Sequence, residues 1–172
     1  RIIFMTENFT KVFENLKRQT YRKKINKIWN MIREGKFNEL DNKEQKLAMI
    51  VMNHPEYQEN YENEDLLNGR EYISDNEFNP FLHISLHEMA EDQVISEAPL
   101  EAALLCEHIE KKGYSRHEGL HVIMTILINM IFASFANNKP FDEQRYKTLL
   151  AKCKKVDPSE IQNVIQREFT SN

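Results

Sequence analysis

The sequence is poor in the residues that build tight turns, phosphate-binding loops and disulfide networks. It has 4 glycines and 5 prolines in 172 residues, and no turn dipeptide joins two stretches of alternating hydrophobicity, which argues against a fold of β-hairpins. No glycine-rich phosphate loop is present. Two cysteines, Cys106 and Cys153, are too few for a disulfide framework or a cysteine-rich zinc site and are typical of a reducing compartment. We therefore expect a cytoplasmic protein.

The chain also lacks an excess of positive charge and a long apolar run. With 23 Lys and Arg against 27 Asp and Glu, the net charge is −4, which argues against a domain devoted to nucleic-acid binding. A basic stretch, 17–27, is interpreted as the solvated face of a helix. The most apolar run, 122–136, is shorter than the roughly 20 residues of a membrane span and predicts a buried helix. The sequence thus predicts neither a membrane nor a nucleic-acid partner and leaves a homo-oligomer open.

Apolar residues at helical spacing, by contrast, recur along most of the chain. Those in 9–32 predict a long first helix that ends near Gly35. Asn79, Ser115 and Asp157 each precede an apolar periodic stretch and are typical helix N-caps. The pattern therefore predicts an all-α protein.

Between two of these helical stretches lies an acidic segment, 57–78, without clear periodicity. We predict that it is the longest irregular loop of the chain. The whole pattern predicts a single all-α domain over 5–172, a bundle of six to seven helices with this long acidic loop. Residues 1–4 are interpreted as non-native or upstream sequence.

Histidine is scarce, yet its placement is regular. Of the 6 histidines, His83 and His87 form one H-x-x-x-H pair, and His117 and His121 form another. Residues four apart lie on one face of a helix, about 6 Å apart along the axis. If successive helices alternate in direction, the two pair-bearing helices run parallel and both pairs lie at one level. The end of the preceding helix then brings His54 to the same level.

Clustered neutral imidazoles inside a protein need hydrogen-bond partners or a metal ion. Histidine pairs on facing bundle helices are a common way to present metal ligands, and carboxylates on the same stripe can join them. We therefore predict a transition-metal site, with zinc or iron as the first choices and nickel or copper as further ones. Catalysis, metal carriage or sensing, and a structural role all stay open. The predicted ligand candidates are His54, His83, His87, His117, His121, Glu91 and Asp92.

Two alternatives compete with this interpretation. The stretch "HEGLH" matches the zincin protease pattern, in which His117 and His121 would hold zinc and Glu118 would activate water. However, Ser115 and Glu118 also form a predicted capping box, which accounts for the glutamate, and no edge strand for a peptide substrate is predicted. In the second alternative, the histidines are structural or bind an anion at helix N-termini, without a metal.

Several motifs together resemble an uncharacterised bacterial family of unknown function. They are "HPEY" at 54–57, "NPFLHISLH" at 79–87, "DQ" at 92–93, and "RHEGLH" through "KPFD" at 116–142. The chain resembles this family in its HPEY stretch and its NPFLH-x-x-LH helix, and the resemblance covers about 46–150.

The resemblance implies a shared histidine site and no particular activity. Asp92 stands where that family usually has glutamate, and Gln58 stands where it has a second histidine. Glu118 matches no typical glutamate of the family, which weakens the protease alternative. The positions at which the resemblance implies histidine are His54, His83, His87, His117 and His121.

Overall fold

The computed structural model describes residues 19–72 and 79–170, and in these ranges it contains helices and no strands. The all-α fold class is therefore confirmed. Nine α-helices lie in the described ranges instead of the six to seven predicted. They are α1 Gln19–Arg33, α2 Asn42–Met52, α3 Gln58–Glu62, α4 Glu64–Leu67, α5 Pro80–Ser96, α6 Leu100–Lys111, α7 Arg116–Ala136, α8 Glu143–Cys153 and α9 Ile161–Thr170.

The chain divides into two compact units. The described part of the amino-terminal unit ends at Glu88, and the carboxyl-terminal unit begins at Met89, so the division falls within the continuous helix α5. The single domain predicted over 5–172 stays a prediction. Residues 1–4, which were interpreted as upstream sequence, and the first part of the predicted long helix lie outside the described residues.

The core of the amino-terminal unit forms where α1 packs against α2, α3 and α4. Ile25, Ile28 and Trp29 recur at helical spacing on α1 and are buried, as the apolar pattern predicts. Leu47 and Val51 present the matching face of α2 and are fully buried. This packing fixes the end of α2, from which the chain continues directly into the predicted histidine motif.

The acidic segment 57–78 is more ordered than the sequence predicted. Its first part forms α3 and α4, so the prediction of an irregular loop is wrong for these two helices. The reason is that Tyr61 and Leu66 are buried in the core and anchor one helix each. Asn63 separates the helices and caps α4, because its side chain accepts a hydrogen bond from the Leu66 amide at 3.0 Å. Residues 73–78 lie outside the described residues.

The described part of the basic stretch, 19–27, is only partly the solvated face that was predicted for 17–27. Arg22 is 5% exposed, and its guanidinium donates to the backbone carbonyls of Leu66 and Arg70 at 2.7 Å each. It also lies 5.1 Å from the centre of the Phe81 ring. Arg22 therefore helps to hold the amino-terminal unit together, because a buried guanidinium needs several acceptors.

The carboxyl-terminal unit is organised around α7, which packs against α6 and α8. Among the described residues, α7 is the one helix long and apolar enough to cross a membrane, a test that core helices of soluble proteins also pass. Leu120, Ile123, Ile126 and Leu127 are among its buried side chains. The buried helix predicted over 122–136 is confirmed for one face only, since Phe132 and Phe135 near the end of α7 are 52% and 63% exposed.

Two contacts fix the helices of the carboxyl-terminal unit. Gly119 lets α7 approach α6 closely, since a Cβ at this position would lie 3.0 Å from the Cys106 sulfur. The buried Tyr146 hydroxyl donates to the side-chain carbonyl of Gln93 at 2.6 Å, which joins α8 to the last turns of α5.

Candidate metal centre

The HPEY motif holds His54 at the end of α2. Pro55 cannot donate a backbone hydrogen bond and starts a 3-10 turn, Pro55–Tyr57, with His54 as its cap. The His54 carbonyl accepts from the Tyr57 amide at 3.2 Å and from the Tyr61 hydroxyl at 3.3 Å. His54 is only 2% exposed, so the motif fixes its backbone and directs its ring into the interior of the amino-terminal unit.

The second motif places two more histidines on α5. Asn79 caps this helix, because its side chain accepts from the Phe81 and Leu82 amides at 3.0 and 3.2 Å, as the sequence predicted. His83 and His87 then lie one turn apart, with ring centres 4.9 Å from each other. His87 is 1% exposed, and the two rings share one face of the helix.

His54, His83 and His87 converge within the amino-terminal unit. One ligand nitrogen of each ring lies within 4.8 Å of the corresponding nitrogens of the other two. The Nε2 atoms of His54 and His87 are 2.8 Å apart, and the His54 and His83 ring centres are 4.4 Å apart. Two nitrogens bound to one zinc ion at about 2.0–2.1 Å lie no more than about 4.2 Å apart. The three ring nitrogens therefore lie close to the spacing that one shared ion requires.

A carboxylate orients the His54 ring from its other side. The Glu56 Oε1 atom lies 2.7 Å from His54 Nδ1, and because a carboxylate accepts, Nδ1–H is the donor. Burial alone would raise the pKa of Glu56, but the hydrogen bonds from His54 and from the Glu56 backbone outweigh it and lower that pKa. Charge on His54 and His83 acts in the same direction. Glu56 is therefore a carboxylate at neutral pH, and a neutral His54 ring that donates to it from Nδ1 has its lone pair on Nε2.

Two tyrosines form an aromatic wall beside the histidines, and sequence reasoning missed both. The half-buried Tyr57 ring stacks on His54 at 5.6 Å between centres and meets His83 edge-on at 5.4 Å. Tyr61 is fully buried behind it, and burial raises the pKa of its phenol. The spacing of four between Tyr57 and Tyr61 was the available signal, since it places both rings on one side of the short helical segment.

The other histidine pair lies on α7 in the carboxyl-terminal unit. The ring centres of His117 and His121 are 4.4 Å apart, with 51° between the ring planes. Glu118, the proposed base of the zincin alternative, caps the helix: its Oε2 accepts from the Ser115 amide at 2.7 Å and from the Ser115 hydroxyl at 2.8 Å. These hydrogen bonds lower the Glu118 pKa, which makes it a poor proton acceptor and favours the capping role.

The two predicted carboxylate ligands also lie in the carboxyl-terminal unit. Glu91 accepts from the guanidinium of Arg116, with Oε1 2.9 Å from Nη2, and Asp92 is exposed. The sixth histidine, His108, is structural, since its Nε2 lies 3.0 Å from the Val156 carbonyl. The ligand roles of four residues stay predictions: His117, His121, Glu91 and Asp92.

Comparison with known proteins adds a family and no activity. The model of a family described as a Domain of unknown function (DUF1841) matches residues 17–152. This match extends about 30 residues further towards the amino terminus than the resemblance found in the motifs. No curated protein and no solved structure matches the chain significantly.

Proposed function

Since the chain belongs to the DUF1841 family of unknown function, we propose from its site alone that it is a metal-binding protein. The ion is a divalent transition metal held by His54, His83 and His87. One observation carries the proposal: three ring nitrogens from two separate motifs lie within 4.8 Å of one another. Two of these histidines are almost fully buried, and metal ligation is a common reason for collecting imidazoles in an interior.

The fourth ligand in this proposal is His121. Its support is the sequence, in which a second H-x-x-x-H pair recurs near the start of a helix. His117 is the second residue of α7, and His121 lies one turn further into that helix. Because His121 belongs to the carboxyl-terminal unit, it is tested separately from the three histidines of the amino-terminal unit.

The ligand chemistry favours zinc or iron(II). Imidazole nitrogen is a borderline donor that suits zinc, iron, nickel and copper, whereas thiolates would favour softer ions. Both cysteines are buried in the carboxyl-terminal unit, and burial raises the pKa of Cys106 and of Cys153 to about 11. They are therefore poor thiolate donors, and the site is built from neutral nitrogen ligands. Zinc(II) is the ion we would test first.

The proposal is tested by the metal content of protein purified without a metal-affinity tag. We expect close to one equivalent of zinc or iron in the parent and almost none in His87→Ala. His108→Ala is the matched control, because it removes a histidine that bonds to a backbone carbonyl. A parent that takes up no zinc, iron, nickel or copper after supplementation would refute the proposed function.

His121→Ala tests the fourth ligand separately. We expect the variant to bind zinc more weakly than the parent and His117→Ala to bind it as tightly. If His121→Ala keeps the parent's affinity, the assignment of His121 is wrong, while the site of three histidines in the amino-terminal unit still stands.

A further inference from the structure

We infer that Glu56 is the positioning and charge-compensating residue of the histidine site, and that it makes the site prefer divalent over monovalent metal ions. The inference rests on the proposed function, because it assigns ion selectivity to that same site. Glu56 does not touch the ion in this proposal. It acts through the His54 ring.

The positioning part follows from one hydrogen bond. Glu56 Oε1 lies 2.7 Å from Nδ1 of His54 and accepts its proton. An imidazole that donates from Nδ1 has its lone pair on Nε2, and Nε2 is the atom that faces Nε2 of His87 at 2.8 Å. A metal-bound histidine commonly donates its other N–H to a carboxylate in this way. Glu56 thus selects the tautomer of His54 that a shared ion requires.

The motif leaves Glu56 well placed for this role. His54 caps the 3-10 turn, and Glu56 is the second residue within it, so the short turn brings the carboxylate back onto the ring. The Glu56 side chain is 54% exposed whereas that of His54 is 3% exposed. The carboxylate therefore reaches from the solvated rim to a buried ring and keeps part of its hydration.

The selectivity part follows from charge. The proposed ligands are neutral, so the bound ion brings its full charge into the interior, where uncompensated charge is costly. The Glu56 carboxylate offsets one unit of that charge through the His54 ring. A divalent ion gains about twice as much from this carboxylate as a monovalent ion at the same position, since the Coulomb energy is proportional to charge.

Glu56→Gln separates this role from a purely structural one. The amide keeps the size of the side chain, removes its charge, and can either accept from or donate to Nδ1. Glu59→Gln is the matched control, because Glu59 is an exposed glutamate three residues further along. The probes are zinc(II), and copper(I) under anaerobic reducing conditions, each titrated against a competing chelator.

We expect Glu56→Gln to lose about 10–100-fold in zinc(II) affinity, the usual effect of removing a carboxylate behind a ligating histidine. The loss in copper(I) affinity should be clearly smaller, and Glu59→Gln should match the parent for both ions. Equal losses for zinc(II) and copper(I) would overturn the selectivity assigned to Glu56, because a structural defect would weaken both ions alike.

A second measurement tests the positioning role of Glu56 in protein without bound metal. Nitrogen-15 NMR of the histidine rings in chelator-treated protein reports the His54 tautomer directly. We expect the Nδ1–H form in the parent and in Glu59→Gln, and a mixture of both forms in Glu56→Gln. An Nε2–H tautomer in the parent would overturn the positioning role. If the parent binds no metal, the proposed function fails and the selectivity with it, whereas the tautomer still decides the positioning role.

Discussion

His87→Ala is expected to lower stability by different amounts with and without zinc, and the difference measures the metal site. His87 is 1% exposed and lies within hydrogen-bond distance of His54. Without metal, the variant loses that hydrogen bond and leaves a cavity in place of the ring. We expect the free energy of unfolding to fall by about 2–4 kcal/mol, from roughly 0.5–1.5 for the hydrogen bond and the rest for the cavity.

Zinc binding adds a second contribution to the stability of the parent, which His87→Ala lacks. A ligand at a free concentration of 100 times its Kd stabilises the folded protein by about 2.7 kcal/mol. At such a zinc concentration the parent gains this amount and His87→Ala does not. The difference in free energy of unfolding between the parent and His87→Ala should therefore increase from about 2–4 to about 5–7 kcal/mol. His108→Ala should gain as much from zinc as the parent does.

Urea unfolding followed by tryptophan fluorescence measures both quantities. The chain has 1 tryptophan. Trp29 belongs to the buried core of the amino-terminal unit, and His54, His83 and His87 lie in the same unit. Its indole N–H donates to Glu62 at 2.8 Å, so its emission reports the unfolding of that unit. The reasoning is refuted if zinc leaves the parent's unfolding curve unchanged, or if His87→Ala gains as much stability from zinc as the parent.

Three further predictions concern the carboxyl-terminal unit. Glu118→Gln should leave metal content unchanged, because Glu118 caps a helix; a hydrolytic activity abolished by this change would restore the protease alternative. The hydrogen bond from Lys152 lowers the pKa of Glu168, so its stabilising effect is present above the unfolded value of about 4.3 and is lost as pH falls through the folded pKa. Urea unfolding at several pH values should show a smaller acid-side loss in Glu168→Gln than in the parent, because other carboxylates with lowered pKa remain; equal losses would contradict the role of Glu168. Tyr146→Phe leaves the buried Gln93 carbonyl without its donor and should cost about 1–3 kcal/mol by urea unfolding, and no change would contradict this role.

The sequence predicted the helices best where local chemistry determines them. Asn79 and the pair Ser115–Glu118 cap their helices as expected, because a cap depends only on residues two or three positions away. The segment 57–78 shows the opposite case. Its two short helices depend on the burial of Tyr61 and Leu66 against α1, a tertiary contact that an acidic, aperiodic sequence does not reveal.

Part of the histidine site could also be predicted from the sequence, because local spacing determines it. The spacing of His83 and His87 fixes a shared helix face whatever the tertiary structure, and the resemblance linked this pair to His54. The carboxylates Glu56, Glu91 and Asp92 all lie within five residues of one of these histidines in the chain, and this spacing alone does not rank them. Only the geometry of the 3-10 turn, which places Glu56 against His54, distinguishes the first of these from the other two.

The same geometry bears on whether the protein is an enzyme. A structural zinc site has four protein ligands, whereas a catalytic site has three and keeps one position for water or substrate. The amino-terminal unit supplies three histidines with the half-buried Tyr57 beside them. The role of His121 therefore decides between the two kinds of site. If His121→Ala binds zinc as tightly as the parent, three histidines hold the ion and the remaining position is open to chemistry. If the variant loses affinity, His121 closes the site and a structural or regulatory role is favoured.

Cobalt(II) substitution distinguishes the same two cases by spectroscopy. The absorption spectrum of a closed cobalt(II) site should stay the same when azide is added. At an open site, azide should bind the metal at the free position, and the absorption spectrum should change.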